Sequence, residues 1–84
     1  MWVVRVVSVR GSHGLHARPA TVFAKTAKKF GCRVTVVSDN GSADGKSIVE
    51  IMMLGIAGMS TVTIAADGDD AEQAVAALAT VVEG

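Results

Sequence analysis

Residues 33–44 read RVTVVSDNGSAD and predict a β-hairpin. Apolar and polar residues alternate along Arg33–Ser38, which is the period of a strand with one buried face. Asp39-Asn40-Gly41 is a strong hairpin signal, and a short edge strand over Ser42–Asp44 should follow it. These two strands are therefore expected to pair antiparallel, with the inward side chains Val34 and Val36.

The segments on either side of the hairpin alternate between strand and helix patterns. Trp2–Val9 is dense in valine and predicts a strand, but both alternation phases contain an arginine, so neither phase identifies itself as inward. A helix is expected from Ala17 through Phe30, with Gly31 ending it. Thr61–Ala66 alternates as a strand. The inward residues of the helix are Ala20, Phe23, Ala24, Ala27 and Phe30, and those of the strand are Val62, Ile64 and Ala66.

Two further helices are predicted by their starting residues. Ser47 and Glu50 have the spacing of a capping box, and the apolar run after them closes at Gly55 and Gly58. Asp70 and Gln73 repeat that spacing before the last helix. The core residues expected are Ile51 and Leu54 in the short helix and Ala74, Val75, Leu78, Val81 and Val82 in the last one.

The element order is therefore β-α-β-β-α-β-α. Each helix has one apolar stripe and each clear strand has one apolar side, so a sheet with all helices on one face is the economical packing. We expect an α+β fold, an open-faced β-sandwich with a four-stranded antiparallel sheet. At 84 residues, the chain has room for a single domain over residues 1–84 with a small core.

Composition excludes several classes of function. Eight basic and eight acidic residues leave no excess positive charge for binding nucleic acid, and no apolar run is long enough to span a membrane. The single cysteine, Cys32, can form no internal disulfide and is expected to pack in the core of a cytoplasmic protein. Residues 1–46 nevertheless carry all eight basic residues and two acidic ones, which could help a partner to dock.

Two histidines, His13 and His16, lie close to the predicted start of the first helix. A metal site is disfavoured because Cys32 is the only other soft ligand and no carboxylates cluster nearby. Spacing alone leaves open that both are loop histidines without a role.

The position of His16 favours a role in chemistry. A helix beginning at Ala17 directs free N–H groups and the positive end of its dipole toward the preceding residue, which creates an anion site. Arg18 adds a planar fork of donors suited to phosphate oxygens, and Pro19 stiffens the turn without removing a useful donor. The same field should keep the imidazole neutral and therefore nucleophilic.

The residues around His16 also carry a family resemblance. Gly14-Leu15-His16-Ala17-Arg18-Pro19-Ala20 resembles the active-site motif of HPr, the histidine-containing phosphocarrier family of the bacterial phosphoenolpyruvate:sugar phosphotransferase system. Lys46-Ser47-Ile48 followed by Met53-Leu54-Gly55-Ile56 resembles the second signature of that family. The resemblance covers the whole chain in length, element order and motif separation, and its fold agrees with the one predicted above.

The resemblance implies a role for each matching residue. His16 would be phosphorylated on Nδ1 by phosphorylated enzyme I and would pass the group to the IIA domain of a sugar permease, without metal or cofactor. Arg18 and the amides of Ala17 and Arg18 would hold the phosphoryl group. The chain would be a phosphoryl carrier rather than an enzyme, and a monomer. Partners would dock on the first two helices, at Thr21, Lys25, Lys28, Ile48, Val49 and Met52.

Ser47 matches the serine that a dedicated HPr kinase/phosphorylase modifies in many Gram-positive relatives. Its role as a helix N-cap explains the residue without regulation, and the two roles are compatible. Glu50 departs from the neutral or basic residue expected there, which argues against efficient recognition by the kinase. His13 is a second departure from the family pattern, and it either tunes the pKa of His16 or is simply solvated.

Three other functions stay open at this point. A regulatory paralogue would bind transcriptional regulators or metabolic proteins when Ser47 is phosphorylated, but such a protein needs no histidine at 16. A carrier of a nitrogen-related or dihydroxyacetone-kinase branch would share the chemistry and differ only in its donors or acceptors. A plain structural or small-molecule module would be indifferent to loss of His16.

Overall fold

The chain forms one antiparallel sheet with helices on one face, in a computed structural model that describes residues 1–9 and 17–84. This confirms the predicted open-faced α+β architecture. The elements in chain order are β1 (Trp2–Ser8), α1 (Ala17–Ala27), β2 (Arg33–Ser38), β3 (Gly41–Asp44), α2 (Ile48–Met53), β4 (Thr61–Asp67) and α3 (Ala71–Glu83).

The sheet has the strand order β1-β4-β2-β3, and every neighbouring pair is antiparallel. The predicted hairpin is β2–β3, with Ser38 opposite Gly41 and β3 at one edge. β1 forms the other edge and, among the described strands, pairs with β4 alone, where Ser8 lies opposite Thr61. We call the end of the sheet that carries Ser8, Thr61 and the β2–β3 turn the loop end.

The pairing of β1 with β4 shows which of its side chains face the helices, a point that the sequence pattern did not decide. Val3 lies opposite Ala66 and Val7 opposite Val62, so the odd-numbered side chains of β1 share the helix-covered face. Arg5 has the same phase, yet it is exposed. An edge strand can place a charged residue on its inner phase because the side chain can reach water past the sheet edge.

The core lies between the sheet and the helices, and it contains nearly every residue predicted for it. Ile51 and Leu54 are buried as expected, while Phe30 and Val81 are half-buried and pack against the core rather than in it. Cys32 is buried with a free thiol, in agreement with a packing role. The largest fully buried side chains are Phe23, Ile51, Ile64, Leu78, Val34, Val36 and Val62.

The first helix is shorter than predicted. It ends at Ala27 rather than at Phe30, and the amides of Lys29 and Phe30 bond the carbonyls of Thr26 and Ala27 at 3.1 Å each. These i→i+3 bonds tighten the last turn, so Gly31 follows a short turn instead of ending the helix.

Ser47 caps α2 as predicted, but its capping box is only half formed. Ser47 Oγ accepts the Glu50 N–H at 3.2 Å. The Glu50 carboxylate does not return to Ser47; it accepts the Asp44 N–H at 3.0 Å, and the Ser47 N–H bonds the Asp44 carbonyl. Glu50 therefore ties α2 to the preceding strand, because the β3–α2 turn offers its carboxylate a different backbone donor.

The prediction that Asp70 caps α3 through its side chain is wrong. Asp70 occupies the N-cap position, yet its carboxylate makes no cap hydrogen bond. It accepts instead the N–H of Gly31 at 2.8 Å and of Cys32 at 3.0 Å, at the start of β2. The adjacent N–H groups of Gly31 and Cys32 bond the carboxylate in place of an N–H in the first turn of α3.

Gly45 lies where β3 leads into α2, and it packs directly on β2. Its N–H bonds the Val34 carbonyl at 2.8 Å. A Cβ at this position would lie 2.4 Å from Val34 Cγ1 and 3.2 Å from the Val34 carbonyl oxygen. The close passage of α2's leading turn over β2 thus requires a glycine here.

Candidate functional site

The candidate site lies at the loop end, where β1 gives way to the segment that carries both histidines. The Val9 N–H bonds the Ser60 carbonyl at 2.7 Å, and the Met59 N–H bonds the Val9 carbonyl at 3.1 Å. These bonds fix where the segment leaves the sheet. His13 and His16 lie outside the described residues, as does Gly14.

The first turn of α1 provides the other side of the site. α1 begins at Ala17, immediately after His16 in the chain, and its first turn contains no acidic residue. The first N–H groups of a helix have no intrahelical acceptor and carry the positive end of the dipole. Arg18 is exposed on this turn, and Pro19 is half-buried beside it. The described part of the site can therefore attract an anion with both backbone and guanidinium donors.

The predicted docking residues on α1 and at Lys28, which follows it directly, are accessible to different degrees. Lys25 and Lys28 are exposed, whereas Thr21 is half-buried. Val22, which is not among the predicted docking residues, is 48% exposed on α1. Val22 could have been identified from the sequence, because it lies outside the apolar set that repeats at intervals of three and four residues along α1. A helical valine outside that set must face away from the core.

The second helix presents an apolar surface. Val49 is 66% exposed and Met52 is also exposed, while Ile48 is half-buried and packs against the core. Met53, which is not among the predicted docking residues, is 80% exposed. The expectation that this helix cannot bury all its apolar residues is confirmed, and Met53 could have been found by asking which residues α2 turns away from Ile51. The exposed apolar residues of α1 and α2 are Val22, Val49, Met52 and Met53.

α2 runs beside β3, with its N-terminus near Asp44 and its C-terminus near the β2–β3 turn. Ser47 at its N-terminus is half-buried next to β3, away from the loop end. Its C-terminus reaches the loop end, because the side-chain amide of Asn40, in the β2–β3 turn, donates to the Leu54 carbonyl at 2.8 Å. Lys46 is anchored by a 2.8 Å bond from Nζ to the Phe30 carbonyl. α1 packs against α2, so the two helices predicted to dock partners are neighbours.

Cys32 and Asp70 form a second polar cluster at the opposite end of the sheet from the loop end. Burial raises the pKa of the Cys32 thiol, and the adjacent Asp70 carboxylate raises it further. The N–H of Gly31 is the main cause of the lowered pKa of Asp70. A buried thiol with a raised pKa is a poor nucleophile, so this cluster is structural.

Neither a metal site nor a membrane span is found within residues 1–9 and 17–84. No three acidic, histidine or cysteine side chains there are grouped as metal ligands would be. No helix in that part of the chain has the length and hydropathy needed to cross a bilayer.

Comparison with known proteins relates these features to one family. The model of the PTS-HPr family, described as the PTS HPr component phosphorylation site, matches residues 3–84. The phosphocarrier protein HPr of Mycoplasma capricolum is 45% identical over 65 residues, which cover 77% of this chain and 73% of that protein. The HPr of Haemophilus influenzae is 44% identical over 69 residues, covering 82% of this chain and 81% of that protein.

A solved structure extends the similarity to three dimensions. The crystal structure of HPr from Bacillus anthracis matches with a TM-score of 0.90 at 40% identity, over 96% of both chains.

Proposed function

The chain belongs to the HPr family of phosphotransferase-system phosphocarriers, and from that premise we propose that His16 is its phosphoryl acceptor. His16 would receive the phosphoryl group from phosphorylated enzyme I and donate it to the IIA domain of a sugar permease. The observation that carries the proposal is the acid-free first turn of α1, with exposed Arg18, directly after His16 in the chain.

The proposed step needs only the residues of the chain and a phosphorylated donor. The Nδ1 lone pair of neutral His16 attacks phosphorus, a P–N bond forms, and the bond from phosphorus to the donor breaks with its electron pair leaving on the donor atom. Arg18 and the first amides of α1 oppose the negative charge on the phosphoryl oxygens. No covalent change occurs elsewhere in the chain, so the protein acts as a carrier rather than an enzyme.

Docking is proposed to use the joined surface of α1 and α2. The predicted residues Lys25, Lys28, Val49 and Met52 are exposed there, with Thr21 and Ile48 half-buried among them. An apolar centre flanked by basic residues suits partners with an apolar recess and an acidic rim. We propose that the carrier works as a monomer, since successive partners need this surface free.

Ser47 is proposed as a regulatory phosphosite in addition to its capping role. A phosphate at a helix N-terminus is compatible with the helix, so its effect would come from negative charge beside the docking surface. HPr kinase/phosphorylase with ATP should then add an acid-stable phosphoryl group that Ser47→Ala loses, and no incorporation would refute this role.

The test of the carrier function is phosphorylation with phosphoenolpyruvate, Mg²⁺ and enzyme I, followed by intact mass measurement. We expect one acid-labile phosphoryl group on the native protein and none on His16→Ala, with circular dichroism to verify that the variant is folded. Arg18→Gln should be phosphorylated more slowly, by roughly tenfold for one lost charge-assisted contact. A native protein that gains no phosphoryl group would refute the proposal.

A further inference from the structure

The second helix is too short to be stable by itself. α2 has 6 residues, Ile48–Met53, and Ile51 is the buried one among them. Its last turn is weakly closed, because the Leu54 N–H is shared between the carbonyls of Glu50 and Ile51 at 3.3 and 3.2 Å. An isolated helix of this length is not stable in water, so α2 depends on contacts from outside itself.

Side-chain hydrogen bonds hold α2 at each end. Near the N-terminus, the Glu50 carboxylate accepts the Asp44 N–H at 3.0 Å and joins the helix to β3. At the C-terminus, the Asn40 side-chain amide donates to the Leu54 carbonyl at 2.8 Å and joins the helix to the β2–β3 turn. The last carbonyl groups of a helix have no donor within it, so Asn40 supplies a partner that the helix itself cannot provide.

The β2–β3 turn presents this amide from a defined position. The Asn40 N–H bonds Ser38 Oγ at 3.2 Å, and a Cβ on Gly41 would lie 3.9 Å from Leu54 Cδ2. Asparagine is common in tight hairpin turns because it tolerates a positive φ. Among residues 1–9 and 17–84, however, Met59 is the one non-glycine residue with a positive φ, so Asn40 does not use that tolerance. The bond to Leu54 therefore accounts for asparagine here better than the turn does.

The end of α2 that Asn40 holds carries exposed apolar side chains. Met52 is 45% exposed and Met53 is 80% exposed, and these are the two residues before Leu54. Fraying of the last turn would leave both side chains without a fixed position. A partner that binds the ordered helix would then have to order it first, and its apparent affinity would fall with the ordered fraction.

We propose that Asn40 is a positioning residue for partner docking: its side-chain amide keeps the last turn of α2 ordered, so that Met52 and Met53 meet each partner in a fixed arrangement. This inference rests on the proposed docking role of α2 and adds a residue that acts through the helix rather than by touching the partner. Because the bond orders the helix before any partner arrives, it should serve the phosphoryl donor and the acceptor alike.

The kinetic test compares Asn40→Ala with Ser38→Ala, a control that removes a hydrogen bond from the same turn and keeps the Asn40 amide. For Asn40→Ala, the KM for the carrier should rise roughly three- to fivefold, the equivalent of one net hydrogen bond, with enzyme I and with a IIA domain. The kcat should stay unchanged, because His16 and the first turn of α1 are untouched. Ser38→Ala should change neither value.

Amide hydrogen exchange, measured by NMR, reports on α2 itself. The N–H groups of Leu54 and Gly55 both bond carbonyls of the helix. In Asn40→Ala these two amides should exchange several-fold faster, while the amides of β4 keep their native rates because the sheet is unaffected.

The combined outcomes separate this inference from the function on which it rests. A native protein that accepts no phosphoryl group would overturn both proposals. Normal phosphorylation of Asn40→Ala with faster exchange but an unchanged KM would overturn the positioning role alone. A raised KM with unchanged exchange would mean that Asn40 contacts the partner directly, and an equal rise in Ser38→Ala would assign the effect to the turn; either result would overturn the inference.

Discussion

Asp70 joins two parts of the chain that are far apart in sequence. Its two carboxylate oxygens accept the N–H groups of Gly31 and Cys32, 39 and 38 residues away. These bonds satisfy backbone donors at the start of β2, where the neighbouring strand does not supply an acceptor to them. The carboxylate therefore fixes the start of β2 against the start of α3, and the bonds to its ionised form lower its pKa.

Replacement of Asp70 should produce a pH-dependent loss of stability. A carboxylate with a lowered folded-state pKa stabilises the fold fully above its ordinary pKa of 3.8, and this contribution disappears as the pH falls through the folded-state value. Asp70→Ala should therefore lower the Tm at pH 7, and its difference from the native protein should narrow below about pH 4.

Asp69→Ala provides the neighbouring control, because Asp69 is exposed on the same turn. Thermal unfolding of the three proteins from pH 2 to pH 8 would make the comparison. A difference between native protein and Asp70→Ala that stays constant across this range would contradict the proposed role of the ionised carboxylate.

At the scale of elements, the turns around α2 use glycine for two separate reasons. Gly45 needs the absence of a Cβ because Val34 lies too close, whereas Gly55 has a φ of 59° and nothing within 4 Å of a would-be Cβ. The first is a packing requirement and the second a backbone requirement. α2 therefore lies between the turn at Gly45, which is crowded by Val34, and the turn at Gly55, which needs only a positive φ.

The two glycines should respond differently to alanine. Gly45→Ala should cost about 1–3 kcal/mol through overpacking against Val34, and Gly55→Ala about 1 kcal/mol through its backbone conformation alone. Urea denaturation gives both values. Adding Val34→Ala should relieve part of the cost at Gly45 and none at Gly55, so equal coupling at the two positions would refute this distinction.

Local patterns predicted the elements well, and the failure at Asp70 has a cause outside the local sequence. Ser47 was identified as a cap because its partner, the Glu50 N–H, is three residues away. Asp70 had the same local pattern, but distant donors took its carboxylate, and no spacing rule contains that competition. Met59 has a φ of 62° that no local pattern predicted, and its N–H bonds the carbonyl of Val9, far earlier in the chain. His16 was found by its motif, and it lies outside the described residues.

At the scale of the whole molecule, the zero net charge conceals a division between helices. α1 contains Arg18 and Lys25 and no acidic residue, and Lys28 and Lys29 follow it directly. α3 contains two acidic residues, Glu72 and Glu83, and no basic one. These two helices pack side by side on the same face of the sheet. The basic side adjoins the predicted docking surface, where it can steer an acidic partner.

This division predicts a salt-dependent association with enzyme I. The double variant Lys25→Gln and Lys28→Gln should associate several-fold more slowly at low ionic strength. The defect should shrink near 0.5 M salt, where the Debye length is roughly 4–5 Å and exposed charges are largely screened. Stopped-flow measurements would give the association rates at both ionic strengths. Arg5→Gln with Arg33→Gln removes the same net charge from the sheet, so an equal defect in that control would show that net charge rather than position matters.

The pairing of β1 with β4 determines when the sheet can form during synthesis. Trp2 lies opposite Asp67 and Ser8 opposite Thr61, so β1 waits for a partner that is synthesised only after α1, β2, β3 and α2. At about 5–20 residues per second, that interval is several seconds. Until then the nascent chain carries a valine-rich strand that has no sheet to join, and β2 and β3 can form their hairpin first. The fold is thus completed late, when β4 enters between the two halves.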